Sequence, residues 1–209
     1  MTIRNKSGWF MVVATFGLMG QHIGAIEQPK FDVVERIEAV EIRRYPPHVV
    51  AQTLVTGDFD SAGNLGFRRL AGYIFGGNSE DLDISMTAPV ALKPGEIGKP
   101  TVGKSSYWVT FTMPIEYTIS SLPEPDSETV ELIVIPETYV AVLPYRGNWS
   151  EKRFEKYKAQ LEATLAKQNS WEVRGDTSLL RYDAPFVPWF LRNNEVSLEV
   201  VSTSPSPSR

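Results

Sequence analysis

The chain has 209 residues, of which 42% are hydrophobic and 22% charged, with a formal net charge of −4. This length and composition predict one globular domain with its own hydrophobic core. The mild acidity argues against a nucleic-acid partner, because proteins that bind nucleic acid carry a basic patch or stripe. Cysteine is absent and there are only two histidines, which excludes disulfides, thiolate metal ligands and cysteine nucleophiles and argues against a histidine-rich zinc site.

Residues 1–25 have the layout of a secretory signal peptide. Arg4 and Lys6 precede the apolar run WFMVVATFGLMG, and Gly24-Ala25 offers a small-residue cleavage site. The run is shorter than the roughly 20 residues of a membrane span. The sequence therefore predicts export to the periplasm or the cell exterior, and a membrane partner only if the segment is retained. A buried N-terminal helix and an uncleaved anchor are the alternatives.

The segment FDVVERIEAVEIRRYPPHVVAQTLVTG, from Phe31 to Gly57, predicts two or three strands. Apolar residues alternate on both sides of Pro46-Pro47, which marks a tight bend.

A first helix is predicted over DFDSAGNLGFRRLAGYIFGGN, residues 58–78. Asp60 or Ser61 is placed to cap its start, and Gly76-Gly77 to end it. Its apolar positions recur at helical spacing, at Phe67, Leu70, Ala71 and Ile74. Its internal glycines weaken the helix but allow a partner surface or ligand to approach closely: Gly63, Gly66 and Gly72.

After this helix, DISMTAPVAL combines strand-forming residues with a proline that has no backbone donor. The stretches SYWVTFTMP, ETVELIVIPE and TYVAVLPYRG alternate as strands do. A second helix is predicted over NWSEKRFEKYKAQLEATLAKQNS, with Ser150 as its cap. Its buried stripe is Phe154, Tyr157, Leu161 and Leu165.

The segment LLRYDAPFVPWFLRNNEVSLEVV predicts an aromatic loop stiffened by Pro185 and Pro188, followed by a last strand. Such a loop can form the wall of a small-molecule pocket, or its rings can plug the end of a barrel. The final STSPSPSR is disordered by composition. Two units of strand, helix and further strands follow one another, which predicts an α+β fold with an antiparallel, curved sheet carrying two helices.

No known catalytic constellation is present in the sequence. It contains no nucleophile elbow, phosphate-binding glycine loop, HExxH or dinucleotide fingerprint. The carboxylates are scattered singly, mostly beside Lys or Arg, as solvated surface charges are. The sequence predicts a binding protein and not an enzyme.

Four blocks together resemble the SOUL haem-binding protein family: VEIRRYPPHVVAQTLV, DSAGNLGFRRLAGYIFGGN, ISMTAPV and YDAPFVPWFLRNNEVSLEV. The resemblance runs from Phe31 to Val200, with the blocks in family order. It implies a distorted antiparallel β-barrel or sheet of two pseudo-repeats, each carrying one helix, over residues 31–201. Residues 1–25 would precede this domain as a leader, and residues 202–209 would follow it as a disordered tail. Met86 is then expected in the core and not as a ligand.

The resemblance implies a non-enzymatic carrier or buffer of haem or another tetrapyrrole. In family members the ligand lies between the outer face of the first helix and the aromatic loop. Carried onto this chain, that slot is formed by Asn64, Phe67, Arg68, Ala71, Phe186, Val187 and Trp189. Phe67 and Trp189 would stack on the porphyrin, and Arg68 would reach a propionate.

The chain departs from the family pattern in its polar residues. Some members carry a histidine, proposed as an axial iron ligand, where this chain has Arg44. His48 lies four residues on, as an alternative ligand or as an ordinary surface histidine. Basic residues that some members place on the helix and the loop correspond here to Asn64, Gly72 and Val187. The site is therefore expected to be mainly hydrophobic.

Two other functions remain open from sequence. One is a general apolar-ligand or interaction module on the same fold. The other is a haem-modifying, iron-releasing enzyme, for which the candidate proton donors are Tyr45, His48 and Tyr182.

Overall fold

The computed structural model describes residues 26–95 and 105–203. The predicted signal peptide, residues 1–25, lies outside the described residues, as do residues 204–209 of the predicted tail. In chain order the elements are β1 (Asp32–Ile37), β2 (Val40–Tyr45), β3 (His48–Gly57), α1 (Phe59–Ile74), β4 (Val90–Gly95), β5 (Ser105–Thr112), β6 (Glu131–Ile135), β7 (Thr138–Arg146), α2 (Glu151–Leu165), β8 (Trp171–Arg181) and β9 (Asn193–Ser202). Across these two ranges, neither helix has both the length and the apolar character that crossing a bilayer requires.

All described strands join one antiparallel sheet in the order β1-β2-β7-β9-β8-β4-β5-β3-β6. Within the described residues no pairing joins the end strands β1 and β6, so of the predicted barrel or sheet the structure has an open sheet, not closed into a barrel. Closure would require the two end strands to share a ladder. Although β6 and β7 are consecutive in sequence, β6 pairs with β3 whereas β7 pairs with β2 and β9. The two strands diverge to different parts of the sheet and do not close it.

The strand order confirms the two predicted repeats. From one side the sheet reads β2-β7-β9-β8, and from the other β6-β3-β5-β4. The two series have the same order when β2, β3, β4 and β5 are taken to correspond to β6, β7, β8 and β9, with α1 corresponding to α2. The strand β1 lies outside this correspondence. The repeats exchange their first strands, because β2 pairs with β7 and β6 pairs with β3. The two halves of the sheet, β1-β2-β7-β9-β8 and β4-β5-β3-β6, meet where β4 pairs with β8, through only three residue pairs, from Val90–Arg181 to Leu92–Leu179.

The core lies between the sheet and the two helices. Alternate residues of each strand face the helices: Val49, Ala51 and Val55 of β3, and Tyr107, Val109 and Phe111 of β5 are buried. Phe59 at the start of α1 lies 5.4 Å from Phe154 of α2, measured between ring centroids. Each fully buried side chain of this kind contributes about 1.5–3 kcal/mol, so this face holds the fold together.

The ends of the helices follow capping chemistry. Asp58 caps α1, with its carboxylate accepting from the Ser61 backbone N–H at 2.9 Å. The prediction of Asp60 or Ser61 as the cap is wrong, because both lie inside the first turn and the extended residue before it is Asp58. Ser150 caps α2 as predicted, accepting from the Arg153 N–H at 3.4 Å. Gly76 follows the end of α1 with φ of +96°, a conformation suited to glycine.

The stretch DISMTAPVAL is irregular up to Pro89 and then enters β4 at Val90. The Ile84 N–H donates to the Ile74 carbonyl at 2.8 Å, and the Thr87 hydroxyl donates to the Thr112 carbonyl at 2.5 Å. Because Pro89 precedes the strand, its missing N–H breaks no ladder. These contacts tie the segment to the end of α1 and to the end of β5.

Candidate functional site

The two faces of the sheet carry two different cavities. The first, which we call the cleft, lies on the helix face beside α1 and has a volume of about 150 Å³. It is bounded by α1, by the irregular segment before β4 and by the start of the loop after β8. The second, which we call the groove, lies on the opposite face and has a volume of about 240 Å³. Its ring-bearing side chains are Phe31, Tyr45, His48, Trp108 and Tyr182.

The cleft has an apolar side. Phe67 projects from α1 toward it and packs edge-on against Phe111, with 5.4 Å between ring centroids. Met86 and Val90 complete this side. Met86 is only half-buried. It packs against the core and also lines the cavity, so the expectation that it is a core residue holds for part of the side chain.

The inner end of the cleft is formed by Arg181, the last residue of β8. Its Nε and Nη2 atoms are buried and have no hydrogen-bond partner among the described residues. Its guanidinium carbon lies 5.0 Å from the centroid of the Trp149 ring. A Cβ at Gly63 would lie 2.8 Å from Nη2, so the glycine leaves the room that the guanidinium occupies. Burial lowers the pKa of Arg181, and the charge of Asp60 acts in the opposite direction.

Two of the helix residues predicted for the slot line the cleft, Asn64 and Phe67. Arg68 is exposed on α1 and Ala71 is half-buried, and neither lines this cavity.

The loop contributes its first part, through Ala184 and Pro185. The predicted loop residues Phe186, Val187 and Trp189 do not line the cleft; the rings of Phe186 and Trp189 are 88% and 58% exposed.

Arg192 holds the loop in this conformation. Its Nε donates to the Val187 carbonyl at 2.8 Å, and its Nη2 donates to the Pro185 carbonyl. The Asp183 carboxylate accepts from the Asn193 backbone N–H at 2.5 Å. These bonds tie both ends of the loop together and leave its aromatic tip, with Trp189 and Phe190 in edge-to-face contact, open to solvent.

His48 belongs to the groove and not to the cleft. Along β3, His48 and Val50 point to the open face while Val49 and Ala51 point to the helices. The Nδ1 atom of His48 lies 2.9 Å from the Pro46 carbonyl oxygen. A flat ligand bound in the cleft would therefore lie on the other face of the sheet from His48. Within residues 26–95 and 105–203, no three His, Cys, Asp or Glu side chains come together as a metal site.

A paired charge cluster forms one wall beside the groove. Arg43 donates to both carboxylate oxygens of Glu195, at 3.0 and 2.9 Å, and to Glu41 at 2.9 Å. Tyr182 donates its hydroxyl to Glu195 at 2.5 Å. Burial raises the pKa of Tyr182, and the charge of Glu195 raises it further. Burial lowers the pKa of Arg43, but Glu195 outweighs this effect and raises it overall. The charged groups of this cluster hydrogen-bond to one another, and the Tyr182 hydroxyl proton is used in the bond to Glu195.

Two cleft residues, Arg181 and Trp149, were not predicted from the sequence. Alternation along β8 carried the necessary information for Arg181, since Leu179 is a core position and residue 181 must share its face. A charge at that position of a strand is unusual, and it marks the inner end of the cleft.

Comparison with known proteins gives one family and one fold. The sequence model described as "SOUL heme-binding protein" matches residues 26–199. Heme-binding protein 2 of Mus musculus is 28% identical over 192 residues, covering 86% of this chain and 93% of the relative. Heme-binding protein 2 of Homo sapiens is 30% identical over 159 residues, covering 76% of each chain.

Among solved structures, the C-terminal domain of EcmrR, a protein also solved in a complex with DNA, has a TM-score of 0.56 at 11% identity. The match covers 78% of this chain and 97% of that domain. A hydrolase from Listeria innocua has a TM-score of 0.53 at 13% identity, covering 78% and 91%. At these identities the likeness extends to the fold alone.

Proposed function

Because the chain belongs to the SOUL heme-binding protein family, matched over residues 26–199, we propose that it binds haem or a related tetrapyrrole as a carrier or buffer, without catalysing a reaction. The two mammalian relatives, both named heme-binding protein 2, support haem as the ligand class. The formal charge of −4 favours this small-molecule role over nucleic-acid binding, for which a basic patch is typical.

The cleft is the proposed site, and the observation that carries this choice is its arrangement of Phe67, Met86 and Val90 facing Pro185. Typical ligand pockets measure about 300–1,000 Å³, whereas the cleft measures about 150 Å³. Only one edge of a porphyrin therefore enters it. The rest of the porphyrin would be covered by the side chains of Phe186 and Trp189. Exposed apolar side chains of this kind are typical of ligand-binding surfaces.

The proposed binding does not depend on iron ligation. His48, the histidine of the described residues, lies on the other face of the sheet, so a ring in the cleft is held by apolar contact and by its carboxylates. Iron-free porphyrin is then bound about as tightly as haem. With residues 1–25 acting as a signal peptide, this carrier would work in the periplasm or outside the cell, and at a membrane only if that segment is retained.

The groove supports a second candidate, the binding of a general apolar molecule on the open face. It is the larger of the two cavities, and Tyr45, Trp108 and His48 supply aromatic walls. A haem held there would have His48 as its candidate axial ligand.

An absorbance titration of the full chain with haem and with iron-free protoporphyrin distinguishes these candidates. We expect saturable one-to-one binding of both. Phe67→Ala combined with Trp189→Ala should weaken it roughly tenfold or more through the loss of two ring contacts. Trp108→Ala and His48→Ala, which change the groove, should leave binding and the haem spectrum unchanged.

The opposite pattern, with loss only in Trp108→Ala or a changed haem spectrum in His48→Ala, would move the site to the groove. Equal binding of an unrelated apolar dye, or no saturable binding, would mean that this chain shares the fold of the family but not its tetrapyrrole ligand. Catalytic conversion of haem to iron-free porphyrin would contradict the carrier function.

A further inference from the structure

Several buried polar groups on the helix face have no hydrogen-bond partner among the described residues. They are Nε and Nη2 of Arg181, Nε of Arg153, the Tyr145 hydroxyl and the Thr177 hydroxyl. Burial raises the pKa of Tyr145 to about 12, while the charges of Arg181 and Arg153 act to lower it. The phenol therefore lies within electrostatic reach of both guanidinium groups. Of these unpartnered groups, Arg181 is the one that lines the cleft.

The fold does not explain why a guanidinium is buried there. A buried charge without a hydrogen-bonded partner destabilises a fold. The cation–π contact with Trp149 offsets only part of this cost. Asp60 acts on Arg181 through its charge, but no hydrogen bond joins the two. A Cβ at Gly63 would lie 2.8 Å from Nη2, so a side chain there would displace the guanidinium from its present position.

We infer that Arg181 binds the carboxylate of a ligand whose apolar body lies against Phe67 and Met86. A guanidinium presents parallel N–H groups that match the two oxygens of a carboxylate. A carboxylate that enters along the cleft meets Arg181 at its inner end, and a small rotation of the flexible side chain turns such a pair toward it. The apolar part of this ligand is inferred from the proposed function, whereas its carboxylate is inferred from the unpartnered donors of Arg181.

The inference changes which residue is assigned to the propionate. The family resemblance implied Arg68, which is exposed on the outer side of α1. A contact with a solvent-exposed charge contributes little to binding, while hydrogen bonds to a buried charge contribute more. Arg181 is therefore the stronger anchor, and the ligand class it selects is an apolar molecule with a carboxylate at one end.

Protoporphyrin IX and its dimethyl ester test this inference, because they share the ring and differ in whether the propionates are charged carboxylates or neutral methyl esters. We expect the full chain to bind the diacid about tenfold or more tightly than the diester, and Arg181→Met to bind both equally. Arg174→Met removes an exposed arginine from the same strand and should keep the full preference. Arg181→Gln is the second variant if Arg181→Met does not fold, with the same expected loss.

A preference that persists in the Arg181 variants would overturn the inference. So would a preference that is lost in Arg68→Met and kept in Arg181→Met, since this would place the carboxylate on the outer side of α1.

If the full chain binds neither porphyrin, the proposed function fails and the carboxylate site is tested with 2-naphthoate and its uncharged methyl ester. The acid should raise the thermal unfolding midpoint of the full chain and of Arg174→Met, but not of Arg181→Met, and the ester should raise none of them. Equal shifts for acid and ester, or no shift with either, would overturn the inference.

Discussion

Gly66 and Gly72 lie on the same helix but are expected to respond to alanine in opposite ways. A Cβ at Gly66 would lie 2.3 Å from Cγ2 of Val109, a fully buried residue of β5. Alanine gains about 0.5–1 kcal/mol over glycine within a helix, but pushing α1 away from the sheet costs about 1–3 kcal/mol, as overpacking does. Because the overlap is deep, we take the upper part of that range and expect Gly66→Ala to lose roughly 2 kcal/mol in the free energy of unfolding.

Urea unfolding of the full chain, extrapolated linearly to water, measures this difference. Gly72→Ala is the matched control, since a Cβ there meets nothing within 4 Å, and it should gain about 0.5–1 kcal/mol. Adding Val109→Ala to Gly66→Ala opens space for the new methyl group, so the double variant should lose less than the sum of the single losses, by about 1 kcal/mol. A Gly66→Ala variant as stable as Gly72→Ala would refute the close packing of α1 on β5.

Glu195→Leu should lose about 3–5 kcal/mol in urea unfolding because it leaves Arg43 buried with one partner fewer, while Arg43→Met with Glu195→Leu should lose much less; equal losses would show that the pair is not coupled. Hydrogen bonds from Ser61 hold the pKa of Asp58 below its usual range, so the charged cap stabilises the fold above about pH 4 and is lost as the pH falls. Asp58→Asn should therefore lose less of its thermal unfolding midpoint as the pH falls below about 4. The same pH dependence in the variant and the wild type would contradict the capping role of Asp58. Burial raises the pKa of Tyr145 to about 12, so stability should fall as the pH rises above about 10. Tyr145→Phe should reduce that alkaline loss, and an equal loss in the variant would assign it to other groups.

The fold could be predicted where one face of an element is buried. The stripe of Phe154, Leu161 and Leu165 defined α2, and all three are buried. The strand β8 escaped prediction because residues 172–176 are exposed and therefore show no alternation of apolar and polar side chains. The open sheet could not be predicted either, because closure depends on pairing between strands far apart in sequence, which no local pattern records.

The site could be predicted only in part for a similar reason. Phe67 came from the family resemblance, and the structure places it in the cleft. Alternation from Leu179 could place Arg181 on the core face, but what distinguishes Arg181 is the lack of a partner, a property of its three-dimensional surroundings that no sequence pattern records. The aromatic loop was recognised by composition, but its exposed tip is set by the hydrogen bonds of Arg192 to the loop carbonyls.

The short pairing of β4 with β8 has a consequence for what a bound ligand does to the whole domain. Three residue pairs join the two halves of the sheet there, against eight between β7 and β9. The cleft lies across this junction, with Phe67 and Val90 from one half and Arg181 and Pro185 from the other. A molecule bound in it works as a non-covalent cross-link between the two halves, and its binding free energy adds to their cohesion where the backbone supplies least.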